Sequence, residues 1–183
     1  PGDLMKRFID MNLEFGLKTT FHAGEQADAS NLRSAYQIHT ERVGHALRLI
    51  EYPALLDAYV KSNVCVEMCP TSNIEVHGYR TPSVEYYNFD GVYPIYPLKQ
   101  YLASGLPIAI CTDNPFISRT SMKNEIITAS DLCLDEPLTF FEVLSIVFTG
   151  FRFAFLQNDL KLPLIEQVGA EIYDKLTAIA FRS

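Results

Sequence analysis

Val64-Cys65-Val66-Glu67-Met68 runs directly into Cys69-Pro70. A run this short, rich in β-branched and apolar residues and stopped by a proline, reads as a buried strand rather than a helix. Its flanks carry a different period. Pro53–Ser62 before it has helical spacing with proline in the first turn. Pro97–Ser104 after it is helical again, and Leu106–Thr112 (LPIAICT) is a second buried strand. Toward the N-terminus, Arg42-Val43-Gly44-His45 is short and β-like, Asn31–His39 is helical and Leu17–His22 (LKTTFH) is a strand. Gly2–Phe15 is an amphipathic helix stopped by Gly16, a residue suited to a helix C-terminus. Four strands thus alternate with helical segments. That order predicts parallel strands joined by right-handed crossovers. Four β/α units are half of an eight-unit barrel. The expectation is an α/β fold: a partial TIM (β/α)8 barrel in which residues 1–183 form a portion of one barrel domain.

No internal repeat and no linker divides the 183 residues, 48% of which are hydrophobic, enough for a sizeable core. Helices are expected beyond Thr112, one of them opening after Asp135-Glu136-Pro137. The most apolar stretch, Phe140–Leu156, contains Glu142, Gly150 and Arg152 and reads as a pair of core helices rather than a membrane span. The net charge of −7, without a Lys/Arg run, disfavours nucleic acid and anionic membranes as partners. A small neutral or cationic ligand is easier to accept. Cys65, Cys69, Cys111 and Cys133 are too few and too widely spaced for a secreted disulfide scaffold, which predicts reduced, buried thiols and a cytoplasmic protein. Gly78–Pro97 carries Tyr79, Tyr86, Tyr87, Tyr93 and Tyr96 with Pro82 and Pro94. It reads either as a surface loop anchored by its rings or as a lid over a pocket. The chain opens on Pro1-Gly2 and enters a helix at once, with no initiating methionine, as a segment of a longer domain would.

The polar residues gather at strand ends. His22 closes the first strand and is followed by Ala23-Gly24-Glu25; His45 closes the second; Cys69-Pro70-Thr71-Ser72-Asn73 follows the third; Thr112-Asp113-Asn114-Pro115 closes the fourth. In a parallel α/β barrel these ends share the face on which active sites sit. Singly, each has an ordinary reading: a hydrogen-bonded structural histidine, a turn, an acidic residue in a helix's first turn. Together they offer nitrogen and oxygen donors of the kind that bind Zn²⁺ in His22 and Asp113. Glu25 stands three residues beyond His22 and a second imidazole, His45, nearby. His39 and His77 read as structural or solvent-facing. Cys65 and Cys69 lack the C-x-x-C spacing of a thiolate zinc site.

His22-Ala23-Gly24-Glu25, Arg42-Val43-Gly44-His45, Cys69-Pro70-x-Ser72-Asn73 and Thr112-Asp113-Asn114-Pro115 resemble, in order and placement, four motifs of the adenosine deaminase family. The resemblance covers nearly the whole chain and matches strands five to eight of the family's barrel. It implies a zinc-dependent hydrolytic deamination of adenosine to inosine and ammonia. Under it, His22 and Asp113 bind Zn²⁺, and His45 orients the attacking water and accepts its proton. Glu25, as a carboxylic acid in the complex, protonates purine N1, and Asn114 contacts N7. Deamination of adenine, of N6-methyl-AMP or of another adenosine-containing metabolite is the alternative within the family. Arg42-Val43 before His45 leans toward adenosine, since adenine-specific relatives tend to carry another pair there.

Three departures from the family's pattern stand out. Its first-strand His-x-His pair, which completes the metal site, occurs nowhere in this chain, so this chain by itself is expected to be inactive. Asn114 stands where the family often has a second aspartate; an amide donates to purine N7 without needing protonation. Tyr96-Pro97 stands where the family commonly has His-Pro. The P-C-x-x-C element of cytidine-type deaminases is absent. Four strands without their partners leave two open sheet edges, so a non-catalytic, self-associating fragment is the reading from another class.

Overall fold

The computed structural model describes residues 3–26, 29–77, 79, 95–134 and 136–180. Its elements are α1 (Asp3–Phe15), β1 (Thr20–Ala23), α2 (Ala29–Gln37), β2 (Arg42–His45), a 3₁₀ turn (Leu49–Glu51), α3 (Pro53–Lys61), β3 (Cys65–Met68), α4 (Pro70–His77), α5 (Leu98–Ala103), β4 (Ile108–Ile110), α6 (Met122–Asp131), α7 (Phe140–Arg152) and α8 (Asn158–Ala180). The strands form one parallel sheet in the order β1-β2-β3-β4. This is the α/β architecture of a partial barrel.

Register decides what the two faces carry. His22 pairs with Gly44, Gly44 with Glu67 and Glu67 with Ala109. Residues in register share a face and neighbours along a strand alternate. Val43, Val66 and Ile108 therefore point the other way and are buried with Leu32, Tyr59, Leu98 and Tyr101 from the helices. Two buried phenols pin this layer: Tyr59 Oη donates to the Leu32 carbonyl at 2.8 Å, and Tyr101 Oη donates to the Ala46 carbonyl at 2.7 Å while accepting from Ile50 N at 2.9 Å. The opposite face is polar. Thr20 Oγ1 donates to Glu67 Oε2 at 2.8 Å. Arg42 Nε lies 2.7 Å from Glu67 Oε1, close enough to pair ionically but angled away from a hydrogen bond. The Arg42 guanidinium also lies 3.7 Å over the Phe155 ring, so the segment after α7 crosses the foot of the sheet.

Several boundaries differ from the sequence expectation. β1 starts at Thr20 rather than Leu17, because the preceding residues finish α1. Gly16 has φ +59°, and Leu17 N donates back to the Asn12 carbonyl at 3.0 Å, a Schellman-type C-terminus. Thr19 N is held by Glu41 Oε2 at 2.8 Å. The polar stretch after β3 is a helix, α4, which Thr71, Ser72 and Asn73 conceal from a propensity argument. Phe140–Leu156 holds one helix, not two: Thr139 and Glu142 form a reciprocal capping box, the helix ends at Arg152 and α8 starts at Asn158. Of the tyrosine-rich stretch, Tyr79 and Tyr96 are buried; residues 80–94 lie outside the described residues, as does the expectation of a lid there. Among the described residues no helix is long and apolar enough to cross a membrane.

Candidate metal and catalytic centre

His22, Glu25 and His45 meet at the C-terminal ends of β1 and β2. One ligand atom from each lies within 4.8 Å of the others, and no other such group of three exists among the described residues. The two imidazoles pack edge to face with centroids 4.7 Å apart, and His45 Nε2 is 3.8 Å from Glu25 Oε2. His22 is exposed, Glu25 half-buried and His45 buried.

The backbone explains how they meet. Strict alternation would turn His45 away from His22, toward the helices. Positive φ at His45 (65°) and Ala46 (48°) ends the alternation at that point, and the Tyr101 hydroxyl holds the Ala46 carbonyl in place. Asp113 also has a positive φ, 52°. Left-handed backbone in non-glycine residues is strained and gathers at functional sites. The glycines in the two motifs are spatial requirements. A Cβ on Gly44 would sit 2.6 Å from His22 Cδ2, because the His22 ring lies across β2. Gly24 has φ +66°, and a Cβ there would meet Leu32 Cδ1 at 2.7 Å.

Around this group the next residues are fixed by hydrogen bonds. Asn73 Nδ2 is 3.0 Å from His45 Nδ1, and Tyr96 Oη donates to Asn73 Oδ1 at 3.0 Å. Asp113 stands outside the three-residue group; its Oδ2 accepts from Ser72 Oγ at 2.7 Å. Asn114 is exposed, and its carbonyl accepts from Ile117 N and Ser118 N in the turn after β4. Glu125, fully buried on α6, accepts from Thr71 N at 3.0 Å and from Thr120 Oγ1 at 2.6 Å. It thereby anchors the start of α4, the helix that carries Ser72 and Asn73. Sequence reasoning assigned no role to Glu125, Tyr96 or Asn73. Asn73 and Tyr96 did leave a signal there, Asn73 as a member of a quoted motif and Tyr96 in the departure from His-Pro, whereas Glu125 left none.

The donor chemistry fits a zinc ion, which takes imidazole nitrogen and carboxylate oxygen. Thiolate ligation does not fit. Burial, then the Glu67 charge, pushes the Cys65 thiol up to about 12, and the same causes push Cys111 up to about 11. All four cysteines are unpaired thiols. His39 is exposed, as expected; the His77 side chain lies outside the described residues.

A parallel α/β sheet with imidazole and carboxylate groups converging at its strand ends is a partial barrel carrying a candidate metal site on the face where such barrels place their active sites. Comparison with known proteins narrows it. The adenosine deaminase family model matches residues 1–171. An adenosine deaminase of Clostridium acetobutylicum is 26% identical over 169 residues, 92% of this chain and 46% of that protein. Among solved structures, an adenine deaminase from Arthrobacter aurescens superposes with a TM-score of 0.73 at 23% identity, covering 91% of this chain and 47% of its own. A Zn-bound amidohydrolase from Burkhoderia ambifaria gives 0.73 at 18% identity, covering 97% and 47%. The chain belongs to the adenosine deaminase family, and it spans about half the length of the relatives it matches.

Proposed function

We propose that residues 1–183 act as strands five to eight of a zinc-dependent deaminase barrel that converts adenosine to inosine and ammonia, with the first four strands supplied from outside this sequence. The observation that carries this reading is the convergence of His22, Glu25 and His45 at the strand ends of a chain belonging to this family. His22 and Asp113 would hold the metal, joined by ligands from the missing strands. When bound there, the metal supplies water acidified toward neutral pH. Glu25 delivers a proton to purine N1, which makes C6 electrophilic. His45 faces the attacking oxygen, and the Asn114 amide donates to N7. The partner is a purine nucleoside, with neither nucleic acid nor membrane involved, and buried thiols suit a cytoplasmic location. The likeness to an adenine deaminase favours adenine as the second substrate reading.

By itself the chain has too few ligands for a tight site, since zinc sites use three or four protein ligands. Among the described residues no further strand pairs with β1 or β4, and open sheet edges favour self-association. The isolated chain is therefore expected to hold little zinc after dialysis and to form no inosine. One zinc per chain, with turnover, would overturn that expectation. Replacing the matching segment of the Clostridium acetobutylicum protein with this chain should yield a zinc-holding protein whose adenosine turnover is followed by ultraviolet absorbance. A folded, zinc-loaded chimera acting on adenine alone would establish the second reading, and a folded chimera that binds no zinc would refute the metal assignment.

A further inference from the structure

His45 is buried and its Nδ1 faces an asparagine side chain rather than solvent. Asn73 is itself fully buried on the first turn of α4, and its amide is gripped from the far side by Tyr96, the residue just before Pro97 and α5. A carboxamide has one donating and one accepting end. The buried Tyr96 hydroxyl donates to Oδ1, so the NH₂ end must point at His45. An NH₂ group only donates, which makes His45 Nδ1 the acceptor and places the proton of the neutral ring on Nε2. The opposite amide orientation would leave the buried Tyr96 O–H without an acceptor among the described residues. Burial also pushes the Tyr96 phenol well above its ordinary value, so it stays a donor at any physiological pH. The Tyr79 ring, packed edge to face at 5.1 Å, fixes its direction.

We propose that Tyr96, acting through Asn73, is a positioning residue that locks neutral His45 in the Nε2–H tautomer, so that this imidazole meets the reacting oxygen as a hydrogen-bond donor. The inference rests on the deaminase reading for its purpose but not for its geometry. It changes the role implied by family resemblance, in which His45 accepts the water's proton. A ring already protonated at Nε2 has no lone pair there to receive one. Within the group the water's proton then goes to the Glu25 carboxylate, whose Oε2 lies 3.8 Å from Nε2, and the carboxylic acid so formed is the one that delivers a proton to purine N1. It also gives the departure from His-Pro to Tyr96-Pro97 a definite consequence: a long phenol reaches the amide of Asn73.

The test is long-range ¹H–¹⁵N correlation of the histidine rings in the metal-free chain, at a pH where His45 is neutral. The expected spectrum shows His45 Nδ1 as the unprotonated nitrogen and Nε2 as the protonated one. Tyr96→Phe keeps the ring and removes the hydroxyl; it should convert the single tautomer to an exchanging mixture and speed exchange of the Asn73 side-chain amide protons. Asn73→Asp replaces the donor with an acceptor and should move the proton to Nδ1. A wild-type His45 protonated at Nδ1 overturns the proposal without any variant, and so does a folded Tyr96→Phe chain with an unchanged tautomer and amide exchange. Adenosine turnover in the chimera is read separately: an Nε2–H ring with no turnover would refute the deaminase reading and leave the positioning role standing.

Discussion

Gly44→Ala isolates the geometric requirement behind the His22 site. Gly44 has no unusual φ, so alanine strains no backbone, and the whole effect is the new methyl group. That methyl would lie 2.6 Å from His22 Cδ2 and 3.3 Å from Nε2, whereas ordinary contact begins at 3.4 Å. The ring must therefore retreat by roughly 0.8 Å, well beyond the ~0.2 Å within which metal–ligand distances hold. His22 is exposed and can swing toward solvent. Overpacking therefore costs stability at the low end of the usual ~1–3 kcal/mol, further offset by about 0.4–1 kcal/mol from the stiffer unfolded chain. Binding has no such relief. A misplacement of about 1 Å costs on the order of 10²-fold in rate. The expected result in the chimera is a urea midpoint close to that of the glycine form, with zinc lost at much lower chelator concentrations and turnover reduced about 10²-fold. Equal zinc retention and equal turnover would refute the reasoning, because they would mean that the His22 ring does not need the space above Gly44.

Glu25→Gln should leave zinc content unchanged and lower turnover by about 10²- to 10⁴-fold, since an amide cannot deliver a proton to N1; an unaltered rate would place the acid elsewhere. Tyr101→Phe should lower the urea-derived stability by about 1–3 kcal/mol, because Ile50 N and the Ala46 carbonyl lose their shared partner in the core; a change below about 0.5 kcal/mol would mean that water replaces the hydroxyl. The thiols give a pH dependence. Burial raises Cys65 from its ordinary 9.0 to about 12 in the folded chain, so folding stability is fully present below pH 9 and falls as pH rises through that window. The same protonation should make Cys65 and Cys111 slow toward alkylating reagents near pH 8 until the chain is unfolded. Rapid labelling of the folded chain would contradict the burial.

The fold was legible because its signals were local. β3 announced itself through a β-branched run closed by Cys69-Pro70, and β2 was placed at Arg42–His45 from four residues, as observed. Misjudged regions were those where tertiary contacts outweigh propensity. α4 opens on Thr71-Ser72-Asn73, poor helix formers individually, and holds because Pro70 begins it favourably and the buried Glu125 accepts from Thr71 N. No local signal links Glu125 to a turn 54 positions away in sequence. Likewise, the hydropathy of 140–156 promised two core helices, while Phe140 and Phe141 are 52% and 76% exposed at the start of a single one.

For the site, sequence identifies donors but not how they are held. His22, Glu25 and His45 were readable from two short motifs, yet by register alone His22 and His45 belong to opposite faces of the sheet. What brings their rings to 4.7 Å is a left-handed φ at His45 and Ala46, and no residue type there advertises it. Asp113 illustrates the converse. Its strand end was foreseen, but its carboxylate is engaged by Ser72, a residue of a different motif, carried on α4. Two of the site's side chains are thus coupled to α4, Asp113 through Ser72 and His45 through Asn73, and α4 itself is coupled to α6 through Glu125. A helix that sequence propensity would have left as loop is the element on which the metal side and the proton side of the candidate centre both depend. Substitutions that loosen its first turn should therefore disturb both sides together.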